Sequence, residues 1–460
     1  MADQGVLAGP AIRRLRKREN LTQAAMANRL DISPSYLNLL ERNQRPVSAR
    51  VVVALVEQFD FDPAALREDE AIGGLDGLAR RLGDKRFEGL AIDRDEMEDF
   101  LGNAPQIASA FARLYDGAAS VPLRSEDPLA ASRREIERWR NHFADLDHAA
   151  EELADEMRLS RGDMGLALTE RLRERHQLSV RILPRDVMPE SLSRLDLHAR
   201  QVQLSEMLGP ASRNFQLALK IAQLEKADEI MAVAQGPAFE DEAARALFKR
   251  HLDGYFAAAL LMPYGRFLRA CEATNYDLPV LERRFTVSFE QLAHRLTTLQ
   301  RVGQRGLPFF MVRLDRAGQF SKRFLGASTA RFLGEDMSCP LWDAHRAFER
   351  AGDLLVQYVA LDDTPEGQGG WLTMMRSVEG SGAPGEARFV VAIGIEAVLA
   401  SDLAQARGLS LRAVDAQPIG PGCAGCYREG CRQRSLPPRG RKLHFDRMRR
   451  GTTPFEFGER

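Results

Sequence analysis

Cysteine is scarce in this chain, with five among 460 residues, and an excess of charge of either sign is missing. Sixty-four Lys and Arg nearly cancel 65 Asp and Glu to leave a formal net charge of -1, so no global bias announces nucleic acid or an acidic partner. Any nucleic-acid surface must therefore be local. The opening MADQGVLAGP lacks the basic region and apolar stretch of a secretory signal, and no apolar run approaches the roughly 20 residues of a membrane span. The expectation is a cytoplasmic protein with no membrane partner. In a reducing compartment an odd number of thiols is poor evidence for disulfides, and a clustered set points to metal or redox chemistry. What is present is ordinary globular composition, 44% hydrophobic and 28% charged. A chain of this length exceeds one core and predicts two to four domains.

Residues 8–66 read as five short helices. Ile12 and Leu15 share one face of AGPAIRRLRKREN, Thr22 caps TQAAMANRL, DIS turns, and Ser33 with Pro34 starts PSYLNLLERN. Two short helices joined by so brief a turn form a helix-turn-helix, whose second helix enters the major groove with its N-terminal side chains on base edges. Gln23, Ser33, Ser35, Tyr36, Asn38, Arg42, Asn43 and Arg45 are the predicted DNA contacts, with polar groups at helix ends placed for phosphates. The spacing of LTQ, DIS and YLNLLERNQRPVS resembles the Xre-type DNA-binding domains. That resemblance implies a homodimer on a palindromic double-stranded operator, because one module on one half-site binds weakly.

Residues 67–95 read as a connector with little core of its own, and EMEDFLGNAPQIASAFARLYDG as one helix after it. From Leu129 to Leu159 the pattern predicts a long helix, with Ile136, Trp139, Phe143, Leu146, Ala150 and Leu153 on one stripe. LSVRILP and HARQVQLSEML read as strands, and SRNFQLALKIAQLEKADEIM as a helix. This order resembles the ImmA/IrrE-type metallopeptidase-like domains, in which the last helix carries His-Glu-x-x-His for zinc and its activated water. Here Leu219-Lys220-Ile221-Ala222-Gln223 stands in that place. Leucine cannot ligate zinc, and a lysine is no carboxylate base, so the expectation is a retained fold without peptidase activity.

YFAAALLMPYGRFLRACEATNYD and Phe289 to Arg301 read as helices. Strands are expected around Pro308 to Leu314 and in LLVQYVAL, GWLTMMRSV and ARFVVAIGIEA, making a mixed α/β sensor-like tail. With the two modules before it, the chain resembles the short-chain fatty acyl transcriptional regulators over nearly its whole length. The predicted division is 1–66 helix-turn-helix, 67–128 helical linker, 129–300 ImmA/IrrE-like domain without its metal site, and 301–460 sensor domain with the cysteine cluster. The whole is mainly α with α+β. The family implies a regulator that senses short-chain acyl-CoA and controls propionate, acetate or glyoxylate-cycle genes. Such a ligand needs an apolar slot and cations for its phosphates. Arg213, Lys220, Arg266, Lys322 and Arg323 are the candidate cations, with Tyr255 and Tyr276 as candidate pocket walls. His294 and His345 read as structural.

Cys423, Cys426 and Cys431 fall within nine residues, too close for independent packing. Cys271 reads as an inert packed thiol. Cys339, before Pro340, is the candidate fourth ligand of a [4Fe-4S] cluster or, alternatively, of zinc. Some family members carry an iron–sulfur cluster in this tail, which favours iron. The family pattern also places a cysteine after the glycine at Gly394, where this chain has Ile395. A second reading keeps the operator and gives the cysteine tail to oxygen or redox sensing, without an acyl-CoA ligand.

Overall fold

The computed structural model describes residues 9–458 apart from 20, 43, 60, 62–73, 85, 86, 88, 89, 91, 120–126, 160–162, 331, 332, 334–337, 362–369, 381–386 and 447. Two compact units are present, Met1–Ser125 and Glu126–Arg460.

In the first unit, α1 (Gly9–Arg18), α2 (Gln23–Arg29), α3 (Pro34–Glu41) and α4 (Ala49–Phe59) enclose a core of Ile12, Met26, Leu37, Leu40 and Leu55. The fifth expected helix falls outside the described residues. The caps read from sequence are formed: Thr22 accepts from the Ala25 amide at 3.2 Å and Ser33 from the Tyr36 amide at 3.1 Å. Asp31, at φ 56°, takes the left-handed conformation in the turn between α2 and α3. Downstream, α5 (Gly74–Leu82), α6 (Arg94–Asn103) and α7 (Pro105–Ala119) bury Leu78, Leu101, Ala108 and Ala112 together. The stretch expected to lack a core thus contributes a helix to one. The single helix expected over EMEDFLGNAPQIASAFARLYDG breaks at Ala104, because Pro105 disfavours α geometry in the residue before it.

The second unit begins with α8 (Pro128–Arg138) and α9 (Ala144–Glu156), where one long helix was predicted. Arg140 and Asn141 sit at φ 51° and 52°, which ends α8 and leaves Trp139 48% exposed, off the buried stripe. The break is held from inside. Phe143 packs edge-on to Tyr255 with ring centroids 5.1 Å apart, while the buried Asn141 side chain bonds residues of two later helices. α10 (Met164–His176) leads to β1 (Ser179–Leu183), β2 (Ser193–Asp196) and β3 (Gln201–Ser205), in the order β1-β3-β2 with β1 parallel to β3. The four-residue β2 carried no alternation long enough to read. α11 (Pro210–Glu225) and α12 (Ala227–Gln235) replace one expected helix, and α13 (Glu242–Leu261) runs through the centre with Tyr255 to Leu261 all buried. α14 (Tyr264–Ala273), α15 (Leu278–Phe285) and α16 (Phe289–Thr297) follow.

Then comes a six-stranded sheet of β4 (Phe310–Leu314), β5 (Phe320–Phe324), β6 (Leu355–Leu361), β7 (Trp371–Glu379), β8 (Arg388–Glu396) and β9 (Gln417–Ile419), ordered β5-β4-β8-β7-β6-β9. All pairs are antiparallel except β6 with β9. Period-two alternation sorts its faces. Met311, Met374, Val391 and Ile393 join the helical core, while Phe310, Val312, Val390 and Ala392 pack with Trp342 on the other side. One core therefore runs across the border expected at residue 300. A short antiparallel pair, β10 (Lys442–His444) and β11 (Glu456–Gly458), closes the tail.

Inside that core lies an ion pair with both side chains 0% exposed, Arg295 Nη2 to Asp147 Oδ1 at 2.6 Å. Tyr255 donates to the other carboxylate oxygen at 2.8 Å, and Arg295 donates to the Met262 carbonyl and to Thr298 Oγ1, each at 3.0 Å. Burial alone would raise the Asp147 carboxyl, but Arg295, His142 and Tyr255 hold it below the usual range.

Candidate DNA-binding, effector and cysteine sites

On α3 the apolar Leu37 and Leu40 face inward, Ser35 is exposed, and Tyr36 and Asn38 are half-buried. Arg42 and Arg45 are exposed just beyond the helix, and Asn43 lies outside the described residues. Gln23 is committed inward: its amide donates to Glu41 Oε2 at 2.7 Å and to Asn38 Oδ1 at 3.4 Å. Arg16 grips the same carboxylate with two bonds, at 2.6 and 3.1 Å. Burial would raise the Glu41 carboxyl, yet Arg16 and Gln23 hold it below the carboxylate range. This bidentate clamp ties α1 to the helix pair and sets the angle at which α3 is presented. Sequence reasoning missed Arg16 and Glu41, which looked like ordinary surface charge.

On α11, Leu219 and Lys220 are half-buried, Ile221 and Ala222 are fully buried, and Gln223 is exposed. Lys220 Nζ donates to Gln223 Oε1 at 3.1 Å, and burial lowers its pKa against the opposing charge of Asp253. An ammonium and an amide thus stand at the two positions expected from the sequence to correspond to the glutamate and second histidine of a zinc peptidase. Among the described residues, no three His, Cys, Asp or Glu side chains converge to hold a single metal ion.

The candidate effector cations fall on three elements, α11, α14 and β5. Arg213 and Lys220 lie two turns apart on α11; Arg213 Nη2 donates to the Glu206 carbonyl at 3.0 Å, and its buried Nε has no partner. Arg266 is on α14 over the Phe285 ring at 5.5 Å. Lys322 and Arg323 are on β5, paired with Glu290 at 2.6 Å and Glu137 at 3.4 Å. Tyr255 is 1% exposed and donates its hydroxyl to Asp147, which packs it in the helical core. Tyr276 is likewise packed, 7% exposed, its hydroxyl accepting from the Leu307 amide.

Cys339, Cys423, Cys426 and Cys431 line a single cavity. Gly422 at φ 109° and Gly430 at φ 70° let the loop wrap, and a Cβ on Gly420 would stand 2.6 Å from Cys426 Sγ. Backbone amides are directed at two of the sulfurs. The Ser435 amide donates to Cys423 Sγ at 3.4 Å, and those of Gly420 and Leu341 donate to Cys339, opposing the burial that pushes this thiol up. Such donors favour thiolate. Cys271 is 0% exposed in the helical core, where burial pushes its thiol far up. Ile395 is buried in β8 opposite Leu372 and does not line the cysteine cavity.

Known proteins resemble every part of this architecture. Residues 8–68 match a helix-turn-helix domain model, 173–297 an IrrE N-terminal-like domain, and 298–455 the C-terminal domain of the short-chain fatty acyl coenzyme A regulators. The HTH-type transcriptional regulator RamB of Mycobacterium tuberculosis is 34% identical over 97% of this chain and 98% of its own. The propionyl-CoA carboxylase regulator of Cereibacter sphaeroides is 36% identical over 99% of each. A solved structure of a Mycobacterium tuberculosis transcriptional regulator superposes with a TM-score of 0.66 at 32% identity, over 72% of this chain and 99% of that one.

Proposed function

This chain belongs to the short-chain fatty acyl-coenzyme A transcriptional regulators, and from that premise we propose that it binds a palindromic operator as a homodimer, answers to a short-chain acyl-CoA, and controls genes of propionate, acetate or glyoxylate-cycle metabolism. The observation that carries the reading is α3, capped by Ser33 and presenting Ser35 to solvent, in the same chain as the acyl-coenzyme A regulator domain. Ser33, Ser35, Tyr36 and Asn38 are the base-proximal set and Arg42, Asn43 and Arg45 serve phosphates, while Gln23, its amide spent on Glu41 and Asn38, positions α3.

For the effector we assign the vacated peptidase face of α11. Arg213 and Lys220 supply charge to coenzyme A phosphates from one face, and the replacement of the motif by Leu219, Lys220 and Gln223 leaves no hydrolytic machinery there. Thermal unfolding with propionyl-CoA, acetyl-CoA and free coenzyme A tests this. A true effector at 100 times its Kd stabilises by about 2.7 kcal/mol. No shift with any acyl-CoA, or an equal shift with free coenzyme A, would refute acyl sensing.

The cysteine cavity favours a cofactor reading beside the first: Cys339, Cys423, Cys426 and Cys431 hold an iron–sulfur cluster. Four thiols around one cavity are a donor set that suits a single zinc ion or a four-iron cluster. A four-iron cluster takes one thiolate per iron and accepts wider spacing. The amides on Cys339 and Cys423 suit either anion. When bound, the cluster supplies an oxygen-labile, redox-active crosslink between the Cys339 loop and the tail. Anaerobically purified protein should be brown and lose its colour in Cys426→Ser; a colourless protein containing zinc would refute the reading.

A further inference from the structure

Arg434 lines the cysteine cavity and is 4% exposed. Its guanidinium makes four bonds, all to carbonyls: Nη1 to Cys423 at 2.8 Å and Leu436 at 3.2 Å, Nη2 to Cys426 at 2.8 Å and Arg428 at 3.0 Å. Its face lies over the Phe457 ring, 4.9 Å from the centroid. Among the described residues, no carboxylate pairs with it. This separates it from Arg295, the other deeply buried arginine, which has Asp147.

A cation withdrawn from water is costly unless an anion balances it, and carbonyl dipoles balance it only in part. Phe457 and the wrapped loop keep water out. Besides Arg428, the ionisable groups that line the same cavity are its four thiols, and two of the four Arg434 bonds end on the carbonyls of Cys423 and Cys426 themselves. The fork therefore fixes the loop that carries the cysteines and sets a permanent positive charge in the lining of their cavity.

We infer that Arg434 is the built-in counter-charge of the cysteine cavity, a positioning residue that both folds the Cys423–Leu436 loop around its cofactor and raises the cofactor's reduction potential. The inference rests on the iron–sulfur reading above. Four thiolates leave a cluster net negative, and each electron added makes it more so. A fixed cation beside it therefore favours the reduced state, since net charge and surroundings tune cluster potentials.

The test uses full-length protein reconstituted anaerobically with iron and sulfide, comparing wild type with Arg434→Gln and Arg434→Lys. Iron and sulfide content is measured, and then the midpoint potential by optical titration and electron paramagnetic resonance. Arg434→Gln keeps two N–H donors and loses the charge. It should load a cluster that is at least tenfold harder to reduce, 59 mV for one electron. Arg434→Lys keeps the charge and loses the fork, and should stay within threefold of wild type. Equal potentials in wild type and Arg434→Gln overturn the inference, as does an Arg434→Lys that shifts as far as Arg434→Gln. If Arg434→Gln takes up no cluster, a loaded Arg434→Lys supports the role of charge, and an unloaded one overturns it. A wild type that binds no iron or sulfide removes the cofactor reading and this role with it; a loaded wild type with an unaffected Arg434→Gln removes only the role.

Discussion

Mild acid should loosen the second unit through two histidines that the fold keeps neutral. His251 donates from Nε2 to Asn141 Oδ1 at 2.9 Å, and Asn141 Nδ2 donates to Thr297 Oγ1 at 2.8 Å and to His294 Nε2 at 3.2 Å. His294 must therefore offer a lone pair, and protonating it would set two donors against each other. Flipping Asn141 would not repair this, because Thr297 Oγ1 already donates to the His294 carbonyl and needs the Asn141 amide as its donor. Phe324 covers both rings, at 5.3 and 4.7 Å between centroids. Burial lowers His251 to about 3, helped by Lys322. Burial likewise holds His294 well below its usual range, helped by His251, Lys322 and Arg295. An unfolded histidine titrates near 6.5. Because the folded values are depressed, the stabilisation is whole above pH 6.5 and is lost as pH falls toward about 3. At pH 5.5 each histidine costs about 1.4 kcal/mol, or about 2.8 kcal/mol together. That is a large share of a typical domain stability of about 5–15 kcal/mol. All three tryptophans, Trp139, Trp342 and Trp371, lie in this unit, so their fluorescence in urea follows it alone. Half-buried His345 adds a slope of the same sign, so the decisive comparison is with His294→Gln, whose amide oxygen can still accept from Asn141. Its loss of stability between pH 7.5 and 5.5 should be smaller than wild type's by about 1.4 kcal/mol. Identical losses would refute the reasoning.

Two further predictions concern the core and the cysteine cavity. Arg295→Met strands the Asp147 carboxylate in the core and should cost about 3–5 kcal/mol in urea unfolding, while the double variant Arg295→Met/Asp147→Leu should recover most of it; an equally unstable double variant would mean that the packing, not the charge, was lost. Gly420→Ala puts a methyl group 2.6 Å from Cys426 Sγ, so the tail should lose about 1–3 kcal/mol and its metal uptake should fall; unchanged iron or zinc content in the purified variant would argue against that close approach.

How much of this could be read from residues alone follows from which forces leave a local trace. Thr22, Ser33 and Pro34 announce their helices because caps act within three residues, and the apolar runs in WLTMMRSV and RFVVAIGIE announce strands buried on both faces. The break between α8 and α9 left no such trace. Arg140 and Asn141 take the left-handed conformation because Asn141 is wanted by His251, His294 and Thr297, more than a hundred residues away. Tyr255 looked like a pocket wall for the same reason, since its partner Asp147 lies on another helix.

The cysteines divide along the same line. Three thiols within nine residues are a local density that sequence displays, and Cys339 could be chosen as the fourth by elimination once Cys271 read as a core residue. Arg434 could not. In CRQRSLPPRGRK it is one of five basic residues, and the run reads as solvated charge. Only the fold distinguishes it, by turning four carbonyls and the Phe457 ring toward one guanidinium. Exposed arginines of such a run trade water for nothing when replaced. Arg434 is the one whose charge the fold has removed from water without a carboxylate beside it, and a buried charge kept at that cost should be sought next to the group it serves.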